Sequence, residues 1–280
     1  MNLAYALRYD FNERLTSTMN YEDSAISFSA NTAQQINDSL SYNLGFSHVS
    51  RSPNMAELFA AGKHGPTNRC EKGNSSLERE ISNNIDIGLN FKHGISSIDL
   101  SLFRNDIKDF IYLRDLGTTL YDGEHQDADW SQKDAIFQGY EVSYTRPFTW
   151  GDKDLYLTLS RDDISAVFDD DTYVPRIPSA INTLDLTLLG DKNEKYSMSV
   201  IYAESQKDFS SIETSTNSYV DLAVKYTNKI RLGDKQDLNV MLYSNNLLDK
   251  TRRNHASFVK AHVPLPATSF GFNVSLDYKF

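Results

Sequence analysis

The chain has 280 residues, one cysteine and a formal net charge of −10 at pH 7. That length suits one large β domain or two ordinary ones, and the acidic balance argues against a nucleic-acid partner. The lone Cys70 has no second cysteine within the chain to pair with. No run comes near the roughly 18 apolar residues that a membrane-spanning helix needs, which leaves a membrane β-barrel open because its strands are apolar only at alternate positions.

Alternation begins at once. Leu3, Tyr5, Leu7, Tyr9 and Phe11 lie on one face of a strand, and nothing there reads as an export signal. Residues 24–34 form a weaker strand, with Ile26, Phe28 and Ala30 on one face. After a turn at Asn37-Asp38, Leu40, Tyr42, Leu44, Phe46 and His48 alternate with Ser and Asn. Residues 50–79, with Pro53, Gly62, Gly65, Pro66 and Gly73, read as a long irregular loop. Ile85, Ile87, Leu89 and Phe91 resume the pattern, His93-Gly94 turns the chain, and a return strand runs from Ile98 to Tyr112.

Residues 113–133 read as a second long loop, polar and acidic. A strand through Tyr140, Val142 and Tyr144 reaches the turn at Trp150-Gly-Asp-Lys153, and Leu155, Leu157 and Leu159 follow. Residues 169–178 form a loop, and Leu184, Leu186 and Leu188 lead into the turn at Gly190-Asp-Lys-Asn193. Tyr196 to Tyr202 climb, residues 206–217 loop, and Val220 to Tyr226 descend to Gly233-Asp234. Leu238, Val240 and Leu242 rise to Asn245, and residues 248–266 form the last loop. The final strand sets Phe270, Phe272, Val274, Leu276, Tyr278 and Phe280 against Gly271, Asn273, Ser275, Asp277 and Lys279.

That makes about twelve strands joined alternately by tight turns and long loops. Both a soluble β-sandwich and a barrel explain the alternation of side chains. Only a barrel explains why the long connections all fall at one end, as they do when tight turns face the periplasm and loops face outward. The polar set, including Asp86, Glu141, Asp185, Asp221 and Lys225, then lines a wet lumen. The expected fold is all-β, a transmembrane antiparallel β-barrel. No phosphate-cradling glycine loop and no His-Glu-x-x-His helix is present, so the reading is not that of an enzyme.

Several segments carry a resemblance. They are Arg51-Ser-Pro…Glu57-Leu58, Glu71-Lys-Gly-Asn74…Leu77-Glu-Arg-Glu80, Gly139-Tyr-Glu141, Asn245-Asn-Leu-Leu-Asp-Lys250 and the end on Phe280. In their order and spacing they resemble TonB-dependent outer-membrane receptors. The resemblance implies a plugged barrel of about 22 strands that imports a scarce nutrient with energy from the inner membrane. Residues 1–280 would be the carboxy-terminal half of that barrel, without plug domain or signal peptide, and the link to TonB would run through an amino-terminal part outside this sequence. Outer-membrane lipid and the barrel-insertion machinery are the other implied partners, the latter reading Phe272, Val274, Leu276, Tyr278 and Phe280.

The stretch Gly62-Lys-His64-Gly-Pro-Thr67, followed by Glu71, is similar to the zinc-uptake branch of that family, where a loop histidine helps hold metal. Glu124-His-Gln-Asp-Ala-Asp129 adds imidazole and carboxylates of the kind Zn²⁺ takes. His64, Glu71, His125, Asp127 and Asp129 are therefore the expected metal contacts, with Cys70 behind them. Zinc enters as transported substrate, and no intrinsic cofactor is expected. A ferric-siderophore or cobalamin receptor would instead use loop aromatics such as Phe59, Tyr121 and Trp130 for an organic ligand.

Overall fold

The computed structural model describes residues 1–15, 20–191 and 193–278. Twelve long strands follow one another in a single antiparallel path. They are β1 (Asn2–Leu15), β2 (Asn20–Gln35), β3 (Leu40–Arg51), β6 (Glu80–His93), β7 (Ser96–Asp115), β8 (Gln126–Trp150), β9 (Lys153–Phe168), β10 (Ile181–Leu189), β11 (Glu194–Ala203), β12 (Tyr219–Gly233), β13 (Gln236–Asn245) and β14 (Ser269–Tyr278). Every neighbour along that path is also the neighbour in sequence, apart from a short insertion between β3 and β6. Among the described residues, β1 pairs with β2 and β14 with β13, and each forms one edge of the sheet.

Register keeps each face uniform. Leu102 stands beside Tyr140, Leu159 beside Leu184, Leu184 beside Val200, and Leu242 beside Phe272. These side chains form the outer band that meets lipid, and the exposure of Leu159, Leu242 and Phe272 is the mark of that face. On the other face Ser101 stands beside Glu141 and Glu141 beside Asp162, giving a polar, acidic wall. That wall encloses a cleft of about 860 Å³, with Asn43, Asn90, Asp99, Glu141, Ser143 and Asp162 among its lining residues.

The tight turns gather at one end. Asn37 Oδ1 accepts from the amides of Ser39 and Leu40, each at 2.9 Å, closing the β2–β3 turn. Gly94 and Gly151 take the left-handed conformation (φ +58° and +67°) that their two-residue hairpin turns demand. The long connections gather at the other end, as alternating connection length implies.

Two expectations about loops need correction. Residues 50–79 are not irregular throughout. They hold a short helix α1 (Met55–Phe59) and a hairpin of β4 (Ala61–His64) and β5 (Arg69–Lys72). Residues 113–133 are mostly strand: β7 runs to Asp115 and β8 starts at Gln126, leaving only residues 116–125 as connection. The reason is solvation. Above the lipid both faces of a strand meet water or other loops, so the period-two apolar signal fades while the ladder continues. A bulge between Ile107 and Phe110 sits where β7 parts from β6 and runs on paired with β8. Phe280, the expected terminal signal, lies outside the described residues; Phe272, Val274, Leu276 and Tyr278 lie on β14.

Candidate functional site at the outer end

The site grows from the loop that precedes β6. Asn54 caps α1: its Oδ1 accepts the Glu57 amide at 3.0 Å, and Glu57 Oε2 accepts the Asn54 amide at 2.7 Å. Arg51 at the tip of β3 then donates to both Glu57 oxygens and to Glu80. Leu58 and Leu77 bury against Ile111 of β7, with Tyr21, Phe59 and Trp130 packed around them. Phe59 and Trp130, expected to touch a ligand, thus belong to the packing that fixes this loop. Tyr121 stays exposed.

The β4–β5 hairpin is positioned by a parallel pairing of β5 with β8. Arg69 stands beside Gln126, Cys70 beside Asp127, Glu71 beside Ala128 and Lys72 beside Asp129. This one contact gathers most of the expected metal residues into one patch. Within it they form separate pairs. His64 is half exposed, and its Nδ1 donates to Glu71 Oε1 at 2.9 Å, while Thr67 Oγ1 also donates to Glu71. A carboxylate that accepts from Nδ1 of a neutral imidazole leaves the ring's lone pair on Nε2. His125 is buried and its Nδ1 meets Asp122 Oδ2 at 2.7 Å. Asp122, not singled out in the sequence, also accepts the amides of Glu124 and His125, and these contacts hold its carboxyl down at about 2.

Asp127 is fully buried and accepts from Thr118 Oγ1 at 2.6 Å and from the amides of Leu120 and Tyr121 at 2.5 and 2.9 Å. It ties down the 116–125 connection. Asp129 takes a two-point contact from Arg114, at 2.9 and 2.7 Å. Burial, then the nearby carboxylates of Asp122 and Asp127, push the Cys70 thiol up and keep it protonated. Among the described residues, no group of three or more His, Cys, Asp and Glu side chains stands in metal-holding geometry.

A second constellation lies beside this patch, and no spacing in the sequence pointed to it. Arg69 chelates Asp115 at the tip of β7 through Nε and Nη2 and donates Nη1 to the Phe258 carbonyl at 3.1 Å. Arg176 reaches the same carboxylate at 3.3 Å and donates to the Leu113 carbonyl. The Phe258 ring packs against both guanidinium groups, 5.0 Å from Arg69 and 4.0 Å from Arg176. Next to it, Lys260 Nζ donates to Glu213 at 3.1 Å and lies 3.1 Å from His255, whose Nδ1 meets Thr216 Oγ1 at 3.0 Å. Burial and the Lys260 charge hold the His255 imidazole down at about 4, and burial depresses Lys260 as well.

These contacts bridge loops that are distant along the wall. Seven strand spacings, roughly 34 Å at about 4.8 Å each, separate β6 from β13 along the sheet path. Loops at those positions meet only by folding over the concave face. The last loop is also tethered at its root. Asp221 on β12 pairs with Arg252, Arg252 Nη2 donates to the Pro266 carbonyl at 2.6 Å, and buried Asn246 exchanges two hydrogen bonds with Lys250. Asn246 and Asp249 take left-handed backbone angles there, which gives the Asn245–Lys250 motif a structural task.

Comparison with known proteins agrees with this architecture. Residues 1–247 match the family model described as "TonB dependent receptor-like, beta-barrel". A curated relative, the heme/hemopexin utilization protein C of Haemophilus influenzae, is 30% identical over 126 residues, or 40% of this chain and 17% of its own length. Among solved structures, the copper transporter OprC superposes with a TM-score of 0.79 at 17% identity, covering 99% of this chain and 45% of that one. The FrpB iron transporter of Neisseria meningitidis superposes at 0.70 with 18% identity, covering 99% and 43%. The chain thus spans less than half the length of the proteins it resembles, and at these identities the solved structures speak to fold alone. The family consists of receptors and transporters, not enzymes, and its zinc-uptake branch is not singled out by these matches. With its lipid-facing band, its polar concave wall and its match to the family model over most of its length, the chain belongs to the TonB-dependent receptor β-barrel family of the Gram-negative outer membrane.

Proposed function

We propose that this chain is part of the wall and outer mouth of a receptor that imports a metal-bearing nutrient, with His64 contacting the metal. The observation that carries the reading is the His64–Glu71 pair. A half-exposed imidazole held at Nδ1 by a buried carboxylate, with its Nε2 lone pair available, has the arrangement of a metal-ligating histidine and its supporting partner. One protein ligand suffices when an organic chelate supplies the others, so haem is the substrate we favour. The kinship with heme/hemopexin utilization proteins supports that choice.

Uptake of free zinc is the second reading. The parallel pairing of β5 with β8 supports it by setting Cys70 beside Asp127, with His125 and Asp129 on the adjoining chain. Tyr121, exposed beside this patch, is the aromatic we assign to ligand contact, rather than the packed Phe59 and Trp130. Import would be energised through TonB by a part of the receptor outside residues 1–280, and further strands of that receptor would cover the backbone groups of β1 and β14, which lipid leaves unpaired. Recognition of β14 by the insertion machinery belongs to the same proposal.

The test is a titration of the full-length receptor with hemin, followed by its visible absorption, and separately with Zn²⁺, followed by calorimetry. Loss of the hemin signal in His64→Ala, with zinc binding unchanged, supports the haem reading. Loss of zinc binding alone supports the second. A variant that binds both as the parent does removes His64 from metal recognition.

A further inference from the structure

The loop network shares its carboxylates unevenly. Arg69, Arg176 and Lys260 are all nearly buried, as are Asp115 and Glu213 among them. A buried charge is costly unless it is well paired, and Asp115 serves two guanidinium groups at once. The weaker share falls to Arg176. Its link to Asp115, at 3.3 Å, is longer than the 2.9 Å contact between Arg69 and the same oxygen, and Asp115 is already chelated by Arg69. Burial and the neighbouring Arg69 also depress the Arg176 guanidinium below its usual range.

Register adds the second half of the argument. His64 and Arg69 are direct cross-strand partners in the β4–β5 hairpin, so their side chains leave the same face. Glu71, two residues from Arg69, lies on that face too and holds His64. A metal ligand and the root of a cationic cluster therefore sit side by side.

Resting on the haem reading above, we propose that the Arg69–Phe258–Arg176 clasp is a closed latch opened by the substrate's own carboxylate. As His64 takes the metal of the chelate, a carboxylate on its rim replaces Asp115 on Arg176. The two guanidinium groups part from the Phe258 ring, and the 246–268 loop lifts from the mouth. Asp115 acts in the resting state as an internal stand-in for the substrate's anion. The substrate class is an anionic metal chelate, and a neutral chelate of the same shape is discriminated against because it offers nothing to exchange.

The experiment compares hemin with hemin dimethyl ester, which lacks the free carboxylates, on the full-length receptor. Affinity is read from visible absorption and opening of the 246–268 loop from amide hydrogen exchange. The parent protein is expected to bind the diacid about tenfold more tightly than the diester, the size of one charge-assisted hydrogen bond. Arg176→Gln brings the two ligands within about twofold by weakening the diacid. Phe258→Ala, which keeps every charge, speeds exchange of the loop without ligand. Equal binding of diacid and diester by the parent overturns the proposal, as does equal weakening of both in Arg176→Gln. If neither porphyrin changes the absorption, the haem reading fails by itself, and ferric citrate becomes the probe. Faster loop exchange with ferric citrate in the parent but not in Arg176→Gln then upholds the latch, and no response overturns it.

Discussion

Replacing Asp127 by Ala separates a structural carboxylate from a metal ligand. The Asp127 side chain accepts three hydrogen bonds, from Thr118 Oγ1 and from the amides of Leu120 and Tyr121, and is fully buried. Hydrogen bonds to a charged group contribute roughly 1.5–3 kcal/mol each. The 116–125 connection lies at the outer surface, so the freed donors regain water and the losses do not sum. A net loss of about 3 kcal/mol for closing this turn is the working figure. At about 1.4 kcal/mol per factor of ten, that is a drop of about a hundredfold in amide protection at Leu120 and Tyr121. Hydrogen exchange on the full-length receptor in lipid nanodiscs, with chelator present, reads it directly. Protection at strand amides deep in the barrel, such as Leu157, serves as the unaffected reference. Unchanged protection at Leu120 and Tyr121, or a loss that appears only when zinc is present in the parent sample, would refute the structural assignment.

Other outcomes follow from the same geometry. A Cβ at Gly271 would sit 2.3–2.6 Å from the Tyr243 ring, so Gly271→Ala is expected to cost about 1–3 kcal/mol and lower the temperature at which the barrel loses its folded mobility on gels, whereas adding Tyr243→Ala restores it. Asn54→Ala removes one side of the capping box and should loosen residues 55–59 by about 1 kcal/mol, seen as faster exchange at the Glu57 amide with no change in β3. Acid should open the last loop. The His255 imidazole faces Lys260, Glu213, Thr216 and the Phe209 ring, and its folded value of about 4 lies below the ordinary 6.5, so the open form binds more protons between the two. The stabilisation from neutral His255 is thus complete above about pH 6.5 and is lost as pH falls toward 4, by up to roughly 3 kcal/mol. Exchange in residues 246–268 should accelerate over that window, and His255→Gln should flatten the profile.

Much of the wall was legible from one rule. A strand that meets lipid on one side and water on the other must alternate, so Leu3 to Phe11, Ile85 to Phe91 and Phe270 to Tyr278 announced themselves. Their order in the sheet followed from short turns and long loops. The rule stops at the membrane surface. The outer parts of β7 and β8 were read as loop because water on both faces removes the contrast that alternation depends on. The Asn54-x-x-Glu57 capping box was present in the sequence but hidden within a segment dense in Gly and Pro.

The candidate metal residues show the same division. His64 and Glu71 are seven residues apart, and their pairing needs only the local β4–β5 hairpin. Asp127 and Asp129 carried the right chemistry in the sequence, yet the 116–125 turn and Arg114 claim them in the folded chain. Nothing local could reveal the latch. Arg69 and Phe258 are 189 residues apart, and each alone is an ordinary loop residue. Alternation alone reveals the lipid-facing stretches of the wall, their order and their outward face, because those depend on neighbours two residues away and on the nearest hairpin. Which loops meet over the mouth is visible only in the fold, because it depends on how the curved wall brings distant strand ends within reach of one another.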